Sequence, residues 1–315
     1  MITAETHTIR SLLSVLERVL HESVNGTEKL TALQALDARR EAREIVAAFM
    51  NVRPVDVSRL SDEPATDLVV SLATSAAHRR TRGEPLAYCV GTAAFRNLVL
   101  HVDPRVLIPR PETEVVVEEA LRVTSPRPGG LAVDIGTGSG AIALSLATEG
   151  RFDRVIATDA SPEALTVARG NASRILPNSS LLEFREGFDL APLDGVRARV
   201  IVSNPPYIAH SESSSLPSSV RDWEPAIALF ADDNGMARYD VLLAGAPMHL
   251  ETGGWLILEV DSRRATETAR RAAMDGRYSS VQLIKDLAGR DRVLRARYTN
   301  EDFNDNSGIT GQHHA

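Results

Sequence analysis

The tetrapeptide Asn204-Pro205-Pro206-Tyr207, within VSNPPYIA, gathers groups that can act on a flat nitrogen. An asparagine side chain and a proline carbonyl both present acceptors, and successive prolines hold them in one geometry with little entropy left to lose. A planar amide or amino nitrogen carries two N–H bonds and a delocalised lone pair. Accepting both hydrogens orients the group and favours density on nitrogen, which is what methyl transfer to a poor nucleophile requires. Tyr207 adds an aromatic face against which a flat substrate packs. No dedicated general base is needed, because N-methylation makes the nitrogen cationic and strongly acidic. The competing reading is a rigid turn without chemistry, since proline also ends the apolar run ARVIVS by lacking an N–H for the strand ladder.

A second constellation precedes it. In VDIGTGSGAIALSLA, Gly136, Gly138 and Gly140 follow an apolar strand and open a helix. Glycine allows a tight turn and close approach of a ligand, and a helix N-terminus offers free N–H groups. The next expected strand, RVIATD, ends in Asp159, at about the 20-residue spacing where an acidic side chain accepts ribose hydroxyls in doubly wound folds. A plain glycine-rich turn and a helix-cap aspartate are the bland alternatives. Together the two features favour an adenosine-containing cofactor, and they leave a nicotinamide dinucleotide and S-adenosylmethionine both open.

Strand and helix patterns alternate from residue 126 onward: LAVDI, RVIATD, LLEFRE, ARVIVS, GWLILEV, VQLIKD and RVLRARY read as strands, with helical spacing between them. Such alternation predicts a largely parallel sheet covered by helices on both faces, with Asn204 on the same carboxyl edge as the glycine loop. Residues 1–82 show helix-period apolar spacing in IRSLLSVLERVL and its successors, and EPLAYCVGTAAFRNLVLHVDP reads as a hairpin over 83–106. Residues 107–299 form the αβ domain, and the polar 300–315 segment reads as a disordered tail in which His313 and His314 are tail composition, not metal ligands.

The 315 residues, 43% hydrophobic and 24% charged, suffice for a large domain and a smaller one. No run of about 18 apolar residues occurs and MITAETHTIR lacks a signal-peptide pattern, so a cytoplasmic protein without membrane association is expected. The single Cys89 excludes an intramolecular disulfide or a multi-cysteine metal site, and its place in LAYCVG reads as a buried strand position. A net charge of -7 argues against a broad basic surface for nucleic acid.

Six segments in this order, RGEPLAYCVG, VDPRVLIPRPETE, VDIGTGSGAIALSLA, VSNPPYIA, EPAIALFADDNGM and DLAGRDRVLRARY, resemble the HemK-type family of protein-(glutamine-N5) methyltransferases, which modify peptide chain release factors. The resemblance runs from Arg79 to Tyr298. NPPY alone is shared with adenine-N6 DNA methyltransferases; LIPRPETE after a helical N-terminal region is more specific. The resemblance implies an α/β class I methyltransferase (Rossmann-like) fold, a seven-stranded sheet with its last strand antiparallel, and S-adenosylmethionine as donor, released as S-adenosylhomocysteine. It implies that Gly136, Thr137, Gly138, Ser139 and Gly140 cradle the methionine part, Asp159 holds the ribose, and Glu186 and Gly187, with Phe188, lie at the adenine. Asn204 and Pro205 would accept the glutamine amide hydrogens, with Pro206 and Tyr207 completing the pocket. Arg110, Pro111, Glu112 and Thr113 would lie beside the active site, against the bland reading of a linker turn and helix cap.

Three positions depart from the family pattern: REGFDL supplies Glu186, Gly187 and Phe188 where an acidic residue followed by an aromatic or leucine is usual, Arg96 follows Phe95, and Asp261 replaces a glycine after LILEV. The expected function is methylation of a release-factor glutamine by a monomer whose helical domain recognises that protein. The same chemistry on another protein or on adenine in DNA, and a non-catalytic binding module, are the alternatives. Stable nucleic-acid binding is not expected.

Overall fold

The computed structural model describes residues 8–22 and 32–299. The expected tail at 300–315, with His313 and His314, lies outside the described residues. Two compact units divide the chain, one running to Pro109 and taking in Glu212–Ala226, the other comprising Arg110–Ser211 and the chain from Ile227 onward. This division differs from a boundary at 106/107. Ile108 N donates to the Glu224 carboxylate, so the 212–226 segment is tied to the chain ahead of the αβ unit although it follows NPPY in sequence.

In the first unit, helices α1 (Ile9–Glu22), α2 (Ala32–Met50) and α3 (Asp67–Arg80) pack around Ile9, Leu12, Leu16, Ile45, Val46 and Ala77. The spacing of Ile9, Leu12 and Leu16 puts them on one helix face, as the apolar periodicity predicts. The LAYCVG stretch is not a strand. Leu86–Val90 is a short helix, α4, because Pro85 presets the backbone at its start and Gly91, at φ 77°, ends it in the left-handed conformation. The hairpin is confined to β1 (Thr92–Phe95) and β2 (Leu98–His101), turning at Arg96 with φ 51°. Cys89 is buried on α4, and burial pushes its thiol up to about 12, which removes it as a nucleophile. The guanidinium of Arg79 ties RGEPLAYC together by pairing with Glu84 and donating to the Tyr88 and Cys89 carbonyls.

The second unit opens with α5 (Pro111–Thr124) and continues β3 (Leu131–Ile135), α6 (Ala141–Glu149), β4 (Arg154–Asp159), α7 (Pro162–Ile175), β5 (Leu182–Glu186), β6 (Ala198–Ser203), α8 (Ala237–Gly245), β7 (Leu250–Glu259), α9 (Ala265–Met274), β8 (Tyr278–Lys285) and β9 (Asp291–Tyr298). The sheet order is β5-β4-β3-β6-β7-β9-β8, with β9 antiparallel to both neighbours. This is the class I methyltransferase arrangement, as expected. Strand β6 is buried at every position, because helices and loops cover both faces of a parallel strand. A core of Ile135, Ile156, Ile201, Leu256 and Leu258 packs against Tyr239, Leu242 and Leu243 of α8. Among the described residues no helix is long and apolar enough to cross a membrane.

Candidate active site

Strand order reverses about β3, whose neighbours are β4 and β6, and ligands of such sheets bind outside the carboxyl ends at that point. Register places the chemistry there. Ile135 pairs with Thr158 and with Ser203, and Asp159 pairs with Glu186, so Gly136, Asp159, Glu186 and Asn204 leave the sheet along one edge. The Ser203 hydroxyl donates to the Ile135 carbonyl at 2.8 Å and fastens the two central strands at that edge. On the other side Leu258 pairs with Ser203, which brings Glu259 level with Asn204.

The glycine loop is a cradle. Gly136 and Gly138 have φ of 73° and 53°, and a Cβ on either would point into open space, so both positions keep room for a ligand. Asp159 braces the loop by accepting from Gly138 N at 2.8 Å and from Ser161 N at 2.9 Å. Burial raises its carboxyl above the usual range. Beneath the loop, Asp134 Oδ2 accepts from the Thr137 hydroxyl at 2.6 Å and from Ala143 N at 3.0 Å in the first turn of α6. Its Oδ1 is buried without a partner, and burial pushes the carboxyl up to about 7.

Asn204 is held from behind. Its Nδ2 donates to Thr113 Oγ1 at 3.1 Å, and Thr113 Oγ1 donates to Glu259 Oε2 at 2.6 Å. Because the carboxamide is planar and Nδ2 is engaged, Oδ1 faces away from Thr113 as an acceptor. Pro205 is buried and Tyr207 half-buried, and burial followed by the charge of Glu259 holds the Tyr207 phenol neutral. Glu259 is itself buried, which pushes its carboxyl up to about 7.

The chain beyond NPPY is pinned as well. Ile208 N donates to Leu229 O, and Ala231 N donates to Ile208 O. Asp233, Asn234 and Gly235 then follow with φ of 51°, 52° and 85°, and a Cβ on Gly235 would lie well inside contact distance of the Tyr207 carbonyl oxygen. Arg264 Nε donates to the Asn234 carbonyl at 2.7 Å while its Nη1 pairs with Asp261 at 2.8 Å.

Every residue expected at the nucleotide edge and at NPPY is therefore in one unit and at one edge. Thr113 reaches Asn204 directly, whereas Pro111 is exposed at the start of α5 and makes no contact of this kind. Arg110 and Glu112 act on Glu259 through their charges. Glu186 is exposed at the end of β5, and Phe188 is 57% exposed beside Gly187, whose N–H is given to the Asp159 carbonyl. Sequence reasoning missed Asp134, Glu259 and Gly235. For Asp134 the signal was present, as a carboxylate inside an otherwise apolar strand needs a reason.

The seven-stranded sheet, with a glycine-rich loop and the NPPY segment at its switch point, is that of a class I methyltransferase. Comparison with known proteins narrows the class. Residues 24–91 match the family described as PrmC N-terminal domain, and residues 115–218 match Methyltransferase small domain. A release factor glutamine methyltransferase of Moorella thermoacetica is 43% identical over 78% of this chain and 85% of its own length. That of Salmonella typhimurium is 36% identical over 89% of this chain and 98% of its own. A solved methyltransferase from Pyrococcus furiosus is 22% identical, covering 64% of this chain and 89% of that one at a TM-score of 0.48. The chain belongs to the release factor glutamine methyltransferase family.

Two outcomes are expected. The Asp134 carboxyl is raised from 3.8 to about 7, so the folded protein keeps a proton there that the unfolded chain gives up, and this group's contribution to stability falls as pH rises across that window. Melting curves from pH 5 to pH 8 should therefore decline less steeply for Asp134→Asn than for wild type; parallel declines would contradict the assignment. Gly235→Ala should push the Tyr207 backbone out of place, lowering the rate of methyl transfer at least about tenfold while cofactor affinity, measured by calorimetry, stays within about twofold. A wild-type rate would show that the contact is not needed.

Proposed function

We propose that this protein transfers the methyl group of S-adenosylmethionine to the side-chain amide nitrogen of a glutamine in a peptide chain release factor. The observation that carries the reading is the Asn204 carboxamide, held by Thr113 with Oδ1 outward, at the edge shared with the glycine cradle. Family membership supports the substrate class, since the relatives are named for release factor glutamine methylation.

Residues fit the cofactor. Gly136 to Gly140 would hold its methionine end, Asp159 its ribose hydroxyls through the lone pairs left on each oxygen, and Glu186, Gly187 and Phe188 its adenine. The open faces of Gly136 and Gly138 leave room for that ligand against the backbone. When bound, the cofactor supplies an electrophilic methyl group. The chain's own residues then act on the acceptor. Asn204 Oδ1 and the Pro205 carbonyl accept the two N–H bonds of the glutamine amide, which fixes the nitrogen in the plane of its acceptors and raises its electron density. Tyr207, neutral and half-buried, packs against the flat amide and keeps water away. The methylated nitrogen loses its proton after transfer, so no side chain at Asn204 needs to act as a base.

Incubation with labelled S-adenosylmethionine and either a bacterial-type release factor, duplex DNA or no acceptor tests the reading. Label should appear on the factor and vanish when its exposed loop glutamine is replaced; label on DNA alone would overturn it. Asn204→Ala should lower kcat at least about 100-fold, in the range of a lost electrostatic or positioning group, and leave cofactor binding intact. Asp159→Ala should weaken cofactor binding first.

A further inference from the structure

Glu259 has no place in the chemistry of the acceptor wall, yet it is 1% exposed and lies one hydroxyl away from Asn204. The chain of bonds has a direction. Thr113 Oγ1 has a single proton, and that proton is given to Glu259 Oε2 at 2.6 Å. The hydroxyl oxygen is therefore left only as an acceptor on the side of Asn204, and an acceptor selects the NH₂ end of the carboxamide. Without that selection the Asn204 amide could turn over, presenting two N–H bonds to a substrate whose own nitrogen also carries N–H bonds.

We propose that Glu259, acting through the Thr113 hydroxyl, is a positioning residue that fixes which end of the Asn204 carboxamide faces the substrate, and that protonation of Glu259 releases this control. The inference rests on the reading of Asn204 as the acceptor of the glutamine amide. Once protonated, the carboxyl is itself a donor, so it can give its proton to Thr113 Oγ1 and leave the Thr113 hydroxyl free to donate to Asn204 Oδ1. The bonds then run the opposite way and the NH₂ end turns toward the substrate. No covalent bond changes; one proton is taken from or given to water.

The surroundings place this switch near neutrality. Burial is the largest influence on Glu259 and pushes it up to about 7; the Thr113 bond, Arg292 of β9 and Arg110 before α5 act the other way, while Glu112 of α5 adds to the rise. The phenols of Tyr207 and Tyr239 also face it and remain neutral. Asp134 titrates in the same range but lies under the glycine loop, where its ionisation bears on the cofactor. Saturating cofactor separates the two.

The experiment measures kcat against pH from 5.5 to 8.5 at saturating S-adenosylmethionine and saturating release factor, together with calorimetric cofactor affinity. Wild-type kcat should rise about tenfold between pH 6 and 8, the change in ionised fraction of one group titrating near 7. Glu259→Gln should run at a reduced level that is flat with pH within about twofold. Thr113→Val should lower kcat about 10- to 100-fold with cofactor affinity unchanged, and Thr113→Ser, which keeps the hydroxyl, should restore most of it. A wild-type kcat without that rise, the same rise in Glu259→Gln, or a Thr113→Val enzyme at the wild-type kcat overturns the proposal. If those results come with an Asn204→Ala enzyme that is still strongly impaired, only the Glu259 control fails; an unimpaired Asn204→Ala enzyme removes the reading beneath it.

Discussion

The parallel pairing of β3 with β6 is the constraint on which the site depends. Adjacent strands lie about 4.8 Å apart, so pairing Ile135 with Ser203 makes the glycine loop and NPPY depart from the sheet as immediate neighbours. The pairing therefore keeps the two loops together on one sheet edge. The Ser203 hydroxyl on the Ile135 carbonyl marks this register, and a slip by one residue would break that bond and carry Asn204 away from Gly136.

Around this pair the site is organised by buried and half-buried carboxylates, each used as an acceptor for groups of the protein. Asp159 takes a loop N–H, Asp134 takes a helix N–H and a hydroxyl, and Glu259 takes a hydroxyl. Burial of a carboxylate is costly unless it is hydrogen-bonded, and for Asp134 the N-terminus of α6 adds a favourable field. The consequence is a loop braced from beneath, whose free face is lined by backbone.

Features carried by consecutive residues were legible in the sequence. The glycine loop, the strand ending in Asp159 and the prolines after ARVIVS are local patterns, and the alternation of strands and helices orders the sheet around them. Contacts between distant residues were not. Thr113 and Asn204 are 91 residues apart, Thr113 and Glu259 146 apart, and neither pairing leaves a periodic trace. The family resemblance brought Thr113 close to the site without giving it a partner. Leu86–Val90 was misread for the opposite reason: its aromatic and β-branched residues favour a strand, and the flanking Pro85 and Gly91 override that preference.

The aspartate that follows LILEV has a physical account in the turn it supports. Asp233 and Asn234 hold left-handed conformations, which these two residue types tolerate better than other non-glycine residues, and contacts from outside hold the turn in place. Arg264 provides one by donating to the Asn234 carbonyl while Asp261 holds the same guanidinium in place. Tyr239 contributes its hydroxyl to the Asp261 backbone N–H, which fixes the carboxylate against α8. With the turn held, Gly235 presses its backbone against the Tyr207 carbonyl, and only a residue without a Cβ can do so. A glycine at position 261 would remove the Asp261 carboxylate from Arg264, so the departure at Asp261 bears on the turn that supports the Tyr207 backbone.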